Sequence, residues 1–379
     1  MMFSNRSAFE SAPNELATAL EAKRARGEAV IDLTESNPTR AGIPYDEREI
    51  TAALADARSM RYEPEPFGLP SARETIARMH GVAASRVVLT ASTSEAYAFL
   101  FGLLCDPGDE VLAPAPSYPL FAQLAQIAGV RLVPYRLRYD GAWHVDKESL
   151  CAARTERSRA ILAVSPNNPT GSCLRGDELA AMLDLPVICD EVFAEYTFRS
   201  APDRVVCAAK EARSSGLVFS LGGLSKSAAL PQMKLAWMIA GGEDARVEAA
   251  LERLSFIADA YLSVATPVQH ALPRLLAEGE KSRDAIRART AKNLAVLDGM
   301  VTGTSATRLD LEAGWYATLR VPRVRSEMET CLRALERGVY VHPGAFFGFE
   351  DEAYVIVSLL ARQDDFARGT QTLLETITE

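Results

Sequence analysis

Five short polar segments of this 379-residue chain carry residue types that could do chemistry, and each follows an apolar run. They are Ser92-Thr93-Ser94, Pro116-Ser117-Tyr118-Pro119, Asn167-Asn168-Pro169-Thr170-Gly171, Asp190-Glu191 and Leu224-Ser225-Lys226. Two hydroxyls and free backbone N–H groups at a helix N-terminus make a phosphate cradle, and Ser92 opens a predicted helix. The other four segments add an aromatic ring, an amide, an acid and a lysine.

Each segment also has an ordinary explanation when it is taken alone. Ser92 could simply cap a helix, Asn168 could lie in a turn, and Asp190 could be a cap or a metal ligand. Lys226 could be a solvated lysine, and Tyr118 could be a packed ring beside a turn. The five segments become a candidate site only because they follow successive apolar runs.

Those apolar runs are rich in Val, Ile and Leu and alternate with helix patterns. They begin near residues 86, 110, 131, 160, 186, 216 and 234. Runs that are apolar on both faces indicate a covered, mostly parallel sheet. Helices are predicted from Thr93 to Leu104 and from Asp177 to Leu183. The alternation predicts a doubly wound α/β domain with a seven-stranded sheet, in which ligands bind beyond the carboxyl ends of the strands.

The two ends of the chain predict a second, smaller α+β domain. Residues 9–25 are expected to form a helix and residues 43–70 a loop-rich connection. Long amphipathic helices, including 282–300, precede three strand patterns that begin at 315, 338 and 353. We therefore expect an N-terminal arm with part of the small domain (1–42), a large domain that carries the candidate site (43–265) and a small C-terminal domain (266–379).

Composition excludes several classes of function. A net charge of -9, from 41 basic and 50 acidic residues, disfavours a nucleic-acid binder. No apolar stretch approaches the roughly 20 residues that span a bilayer, so we expect a cytoplasmic protein without a membrane partner. The six cysteines and four histidines are scattered, which indicates neither a disulfide framework nor a metal site.

Taken together, the segments resemble the aspartate aminotransferase family, the class I and II group of fold-type I pyridoxal-phosphate enzymes. The resemblance runs from Asn37-Pro38-Thr39 through Tyr62 and Gly68 and the Asn-Asn-Pro-Thr-Gly segment to Val341-His342-Pro343-Gly344. It implies pyridoxal 5′-phosphate as the cofactor, and an amino acid and a 2-oxo acid as substrates.

The resemblance also implies a role for each residue. Lys226 would hold the cofactor as a Schiff base and shuttle a proton, and Asp190 would pair with the pyridine nitrogen and keep it protonated. Asn168 would donate to the ring oxygen, and Tyr118 would stack on the ring. The implied phosphate contacts are Ser92, Thr93, Ser94, Lys234 and, across a homodimer interface, Tyr62. Ser225 is a further implied cofactor contact.

Three positions depart from the family pattern at the cofactor. Phe193 stands where the family normally has a tyrosine that donates to the ring oxygen. Because this tyrosine hydroxyl is absent, we expect the pKa of the lysine-bound cofactor to be higher than in relatives that have the tyrosine. Lys234 replaces a phosphate-binding arginine, and a lysine offers charge without the guanidinium fork. Gly223 replaces a common serine.

A fourth departure concerns the substrate. The arginine that clamps the α-carboxylate would align with Ile356, two residues before Ser358. Either Ile356 is a core residue or the clamp lies elsewhere, and Asn37, Arg40 and Arg362 are the candidate substrate-binding residues, with Arg61 a further alternative. Six residues of continued strand would carry Arg362 about 20 Å away, so it substitutes only if the chain turns back.

The resemblance therefore implies an aminotransferase, and two alternatives stay open. The first is a pyridoxal-phosphate lyase or decarboxylase on the same fold, favoured by the missing arginine. The second is a non-catalytic pyridoxal-phosphate-binding regulatory protein, which the intact lysine and acid and the net acidity disfavour.

Overall fold

A computed structural model of the chain describes residues 2–9, 13–212, 215–351 and 353–379. Its α-helices are α1 (Glu15–Ala25), α2 (Glu47–Ala53), α3 (Pro70–His80), α4 (Thr93–Leu104), α5 (Leu120–Ala128), α6 (Lys147–Ala152), α7 (Gly176–Ala180), α8 (Ala208–Glu211), α9 (Leu224–Ser227), α10 (Asp244–Asp259), α11 (Thr266–Val301), α12 (Glu327–Glu336) and α13 (Gln363–Thr378). Its strands are β1 (Ile31–Asp32), β2 (Val87–Thr90), β3 (Glu110–Ala115), β4 (Arg131–Tyr139), β5 (Trp143–Val145), β6 (Ser158–Val164), β7 (Val187–Asp190), β8 (Leu217–Gly223), β9 (Ala236–Gly242), β10 (Thr307–Arg308), β11 (Tyr316–Arg320), β12 (Val339–Tyr340), β13 (His342–Pro343) and β14 (Tyr354–Ser358). No described helix is both long and apolar enough to cross a membrane.

The large sheet confirms the predicted α/β class. Its strand order is β2-β9-β8-β7-β6-β3-β4-β5. The pairs from β8 through β7, β6 and β3 to β4 are parallel, and β9 runs antiparallel to both of its neighbours. All seven predicted runs form strands of this sheet. The eighth strand, β5, is a three-residue antiparallel addition to the edge strand β4 and has no long apolar run that would announce it.

Helices cover both faces of the large sheet, because alternate strand residues enter two different hydrophobic clusters. In β7, Val187 and Cys189 belong to the cluster on one face, which also takes Leu272 and Leu275 of α11. Ile188, between them, belongs to the opposite cluster with residues of α4, α5 and α10. A strand buried on both faces must be apolar at every position, which is why these runs read as continuous.

The smaller part of the fold is built from both ends of the chain. Strands β10, β11, β14 and β13 form an antiparallel sheet, while β1 pairs in parallel with β12 and so ties the N-terminal residues to the C-terminal ones. Helices α1, α12 and α13 pack around a third cluster that includes Leu16, Leu335 and Phe366. Helix α11 contributes to both the first and the third clusters, so the two parts share one 36-residue helix. The boundaries 1–42, 43–265 and 266–379 remain a prediction.

Three element predictions differ from the structure. The helix expected from Asp177 to Leu183 is α7, which ends at Ala180 and is followed by a turn at residues 181–184. The helix expected over residues 9–25 begins at Glu15, because the side chain of Asn14 caps it by accepting from Ala17 N at 2.8 Å; residues 10–12 lie outside the described part of the chain. The connection expected over residues 43–70 contains helix α2, which Asp46 caps in the same way.

Candidate active site

The large sheet brings the predicted site segments to one edge. Strands β3, β6, β7 and β8 end at this edge, and β9 begins there because it runs antiparallel to β8. In the register of the central strands, Thr90 pairs with Ala236, which also pairs with Gly223. The segments after β2 and β8 and the segment before β9 are therefore neighbours. They carry Ser92, Lys226 and Lys234 respectively.

Asp190 is the last residue of β7 and is buried. Its Oδ2 accepts a hydrogen bond from the hydroxyl of Tyr97 at 2.8 Å, and its Oδ1 accepts from Val192 N at 3.1 Å. Burial raises the pKa of this carboxyl, while Tyr97, Val192 N and the charge of Lys226 act in the opposite direction. The carboxylate is thus held in a dry environment by two donors.

Lys226 lies in the short helix α9 that follows β8. Its Nζ is 4.3 Å from the ring centre of Trp315 and 5.3 Å from that of Phe193. Desolvation lowers the pKa of the amine to about 8, against the opposing effect of Asp190. An amine with this pKa is available as a neutral nucleophile close to physiological pH.

The two asparagines of the predicted amide segment have different surroundings. Asn167 has its hydrogen bonds satisfied within the fold, since Nδ2 donates to Pro116 O and Thr170 Oγ1 and Oδ1 accepts from Ser117 Oγ. Asn168 is buried as well, yet its Oδ1 has no hydrogen-bond partner among the described residues. A buried amide without a partner is costly, so this side chain is the one that fits a bound polar group.

The cradle segment caps helix α4. Ser92 Oγ accepts from Glu95 N at 3.1 Å, and Glu95 Oε2 accepts from Ala91 N at 2.7 Å. The capping interpretation of Ser92 is therefore correct, and it is compatible with the predicted phosphate site, because the N–H groups of a first helical turn have no acceptor within the helix. Thr93 and Ser94 are half-buried at this terminus.

The other predicted cofactor contacts surround the same edge. Ser225 is half-buried beside Lys226, and Lys234 is exposed, with a left-handed backbone at φ 49°. The ring of Tyr118 is 41 % exposed and packs edge-on against Phe121. Burial raises the pKa of Tyr118, and the nearby negative charge of Asp190 raises it further.

Phe193 is buried and packs edge-on against Trp315 at 5.3 Å between ring centres. The nearest tyrosine in sequence does not replace the missing hydroxyl, because Tyr196 donates to the backbone O of Lys226 at 2.6 Å. That bond helps to fix the position of the Lys226 backbone.

The predicted substrate residues lie in the turn at residues 37–41 and at the start of α13. Asn37 Oδ1 accepts from Thr39 N and Thr39 Oγ1 in a local turn. The chain turns back after β14, as Arg362 requires, and Arg40 and Arg362 line one open groove of about 510 Å³. The residues that line this groove include neither Lys226 nor Asp190.

Ile356 is buried in β14 between two polar neighbours. It pairs with Thr318 of β11 on one side and with His342 of β13 on the other. The hydroxyl of Thr318 is buried and has no partner among the described residues. Ile356 does not belong to the hydrophobic cluster that takes Val355 and Val357, so it faces the other side of this small sheet.

Three aromatic residues of the site went unrecognised in the sequence. Tyr97 donates to Asp190, and Trp315 covers the amine of Lys226. Tyr316 packs against Phe193 with 6.4 Å between ring centres, and burial raises its pKa to about 12. Each is far in sequence from the residue that it contacts. The strand pattern that begins at residue 315 does not indicate that Trp315 would contact Lys226.

The fold and the site together define an α/β protein with a desolvated lysine, a buried carboxylate and a helix N-terminus at one sheet edge. Comparison with known families identifies the chain as a member of the aminotransferase class I and II family, whose model matches residues 28–364.

Individual relatives are distant. A glutamate-pyruvate aminotransferase, AlaA, of Haemophilus influenzae is 26% identical over 262 residues, which cover 66% of this chain and 64% of that protein. Human tyrosine aminotransferase is 27% identical over 225 residues, or 55% of this chain and 49% of that protein. The matches thus span less than two thirds of either relative.

Solved structures agree more completely with the fold. An alanine aminotransferase from Pyrococcus furiosus superposes with a TM-score of 0.87 at 22% identity, over 99% of both chains. An aspartate aminotransferase variant from Thermus thermophilus gives 0.84 at 21% identity, over 99% of this chain and 100% of that one.

Proposed function

We propose that this protein is a pyridoxal-phosphate-dependent aminotransferase that moves an amino group between an amino acid and a 2-oxo acid. The observation that carries the proposal is the desolvated amine of Lys226 beside the buried, hydrogen-bonded carboxylate of Asp190. Membership of the aminotransferase class I and II family supports it, and so do the relatives named as glutamate-pyruvate and tyrosine aminotransferases.

The residues present fit the cofactor. The Nδ2 group of Asn168 can donate to the ring oxygen, Asp190 fits a protonated ring nitrogen, and the start of α4 with Ser225 and Lys234 fits the phosphate. Tyr118 offers a partly exposed aromatic face. When bound, pyridoxal phosphate supplies an electron sink for the pair left behind when a proton leaves the substrate Cα.

The chain itself then has three tasks. Lys226 would hold the cofactor covalently through its amine and, when freed from that link, would take up the proton that leaves the substrate Cα. Asp190 would hold a positively charged ring nitrogen by its own negative charge. Trp315 and Phe193 cover the amine, and its desolvation lowers the pKa to about 8, so a larger fraction of it is neutral than in an exposed lysine.

The substrate carboxylate is proposed to contact Asn37, Arg40 or Arg362 in place of an arginine at Ile356. Arg40 and Arg362 are the two candidates that share one groove. Replacing each arginine by methionine should raise KM for the amino acid at least about tenfold if it makes a charge-assisted hydrogen bond to the carboxylate. Lys281→Met, far along α11, is the matched control.

The decisive experiment is reduction with borohydride after reconstitution with pyridoxal phosphate. We expect a stable adduct on the peptide that contains Lys226, no adduct in Lys226→Ala, and an unchanged adduct in the exposed Lys281→Ala control. Incubation with a panel of amino acids should then release 2-oxo acids and leave pyridoxamine phosphate. Release of carbon dioxide or an eliminated group instead would contradict transamination, and absence of any adduct would contradict the cofactor.

A homodimer is the second part of the proposal, with Tyr62 completing the partner's phosphate site. Tyr62 is 80% exposed, and Phe256 and Tyr261 are also exposed large aromatics. Mixing Tyr62→Ala with Lys226→Ala subunits should restore activity, since one site of the mixed dimer would have both residues intact. Failure to restore activity in a verified mixed dimer would place Tyr62 in its own subunit's site or outside either site.

A further inference from the structure

Tyr97 lies one turn beyond the start of α4, on the helix that carries the proposed phosphate cradle. Its side chain is 2% exposed and its ring packs edge-on against Phe121 at 5.2 Å between centres. Its hydroxyl donates to Asp190 Oδ2 at 2.8 Å, across 93 residues of sequence. One helix therefore supports both the phosphate end of the site and the carboxylate at its other end.

The surroundings of Asp190 leave this hydroxyl as its main neutral donor. The titratable groups that face the carboxylate are Tyr97 from α4, Lys226 from α9, Tyr118 from the loop after β3, and Cys189 and Glu191 from its own strand segment. Burial raises the pKa of Asp190, and the Tyr97 hydrogen bond comes first among the effects that lower it. The backbone N–H of Val192 holds the other oxygen at 3.1 Å.

The Tyr97 hydroxyl can act only as a donor to this carboxylate. Burial and the neighbouring negative charge raise the pKa of Tyr97 well above its ordinary value, so the phenol stays protonated. A hydrogen bond from such a donor stabilises the ionised carboxylate more than the protonated carboxyl group. Two donors on two oxygens also fix the plane of the carboxyl group.

We propose that Tyr97 is a positioning residue for Asp190, whose hydroxyl fixes the orientation of the carboxylate and favours its ionised form. The proposal rests on the proposed function, in which the negative charge of Asp190 faces the cofactor's ring nitrogen. A purely structural tyrosine would satisfy its own hydroxyl and contribute to stability, but its loss would leave the titration of Asp190 unchanged.

The chain offers a matched control for this distinction. Tyr135 is equally buried, and its hydroxyl also makes one hydrogen bond of 2.8 Å, but to the backbone O of Leu162. Tyr97→Phe and Tyr135→Phe each keep a ring and remove one buried hydroxyl. Both should lower stability, and only Tyr97→Phe should affect the titration of Asp190.

The test is a pH titration of the full-length protein freed of cofactor, with ¹³C at the γ-carboxyl of aspartate. The Asp190 resonance is identified by its loss in Asp190→Asn. We expect Tyr97→Phe to raise the midpoint of Asp190 by about one unit or more, the scale of a lost charge-assisted hydrogen bond, and Tyr135→Phe to leave it in place. An Asp190 midpoint that is the same in Tyr97→Phe and wild type overturns the proposal.

A second measurement uses the reconstituted protein. Tyr97→Phe should weaken retention of pyridoxal phosphate about tenfold, because less of Asp190 is ionised to hold the ring nitrogen. If Tyr97→Phe does not fold, 3-fluorotyrosine at position 97 keeps the ring and makes the hydroxyl a stronger hydrogen-bond donor. It should lower the midpoint of the Asp190 titration, and no change in that midpoint also overturns the proposal. The cofactor-free titration stands apart from borohydride trapping at Lys226, so failure of the proposed function and failure of this inference give different results.

Discussion

The amine of Lys226 in the cofactor-free protein should titrate far below an ordinary lysine. Desolvation lowers its pKa from 10.5 to about 8, a difference of about 2.5 units. At neutral pH such a difference makes the unprotonated fraction roughly 300 times larger, since each unit is a factor of ten. The sign follows from burial, which disfavours the charged form of an amine, and the nearby Asp190 limits the effect.

Trace labelling with an amine-selective reagent, followed by mass spectrometry, measures this property. The rate at the Lys226 peptide is recorded across about pH 6 to 11 and divided by the rate at the exposed Lys281, which corrects for changes in the reagent. The midpoint for Lys226 should fall near pH 8. In Asp190→Asn it should fall lower still, because the favourable negative charge is gone. A midpoint at the ordinary lysine value, or a midpoint that rises in Asp190→Asn, would refute the account of Lys226 as a desolvated amine beside a carboxylate.

Three further predictions follow from particular contacts. In the reconstituted protein, Phe193→Tyr should lower the midpoint of the cofactor's absorbance titration by about one to two units, because a hydroxyl near Lys226 stabilises the deprotonated form; an unmoved midpoint would contradict this. Gly241→Ala places a Cβ 1.8 Å from Ala209 O and should cost about 3 kcal/mol or more or prevent folding, whereas Gly102→Ala, in open space on α4, should add roughly 0.5–1 kcal/mol of stability by denaturant unfolding. Glu327 accepts hydrogen bonds from Gly344 N, Ala345 N and Tyr354 N. Glu327→Gln should therefore lower the free energy of unfolding by about 1–3 kcal/mol, whereas the exposed Glu329→Gln should cost much less. Equal losses in the two variants would argue against the role of these bonds.

The sequence predicted the large sheet well because its signals are local. Runs such as residues 187–190 are apolar at every position, since both faces are covered, and they were recognisable without any knowledge of the partner strands. Helix α4 has the predicted ends because Ser92 caps its start and a turn at residues 106–109 follows its end. Strand β5 escaped prediction because three residues on a sheet edge carry too short a pattern.

The candidate site was predictable only where residues follow strands directly. Asp190, Asn168 and Lys226 each stand at the end of a run, and the parallel order of the strands brings those ends together. Trp315 and Tyr97 reach the site through packing between distant segments, and neither the strand pattern at 315 nor the helix pattern at 93 indicates which side chain turns toward it. The substrate residues were the hardest to place, because Arg40 and Arg362 meet only through a turn after β14 that the sequence left open.

Different kinds of neighbour determine the pKa values of Asp190 and Lys226, the two ionisable groups at the centre of the site. This difference allows the two groups to do different chemistry. Burial alone would drive both toward their neutral forms, since it raises the pKa of Asp190 and lowers that of Lys226. Asp190 has two hydrogen-bond donors that oppose this, whereas the described surroundings of the Lys226 amine are the aromatic faces of Trp315 and Phe193. Hydrogen bonds that favour the ionised carboxylate, next to burial that favours the neutral amine, form the combination that a nucleophilic lysine requires, because the carboxylate can face a cationic ligand while more of the amine has a free lone pair. The donors to Asp190, which are Tyr97 and Val192 N, are different residues from Trp315 and Phe193, which cover the Lys226 amine, so substitutions can change one group's direct contacts while leaving the other's in place.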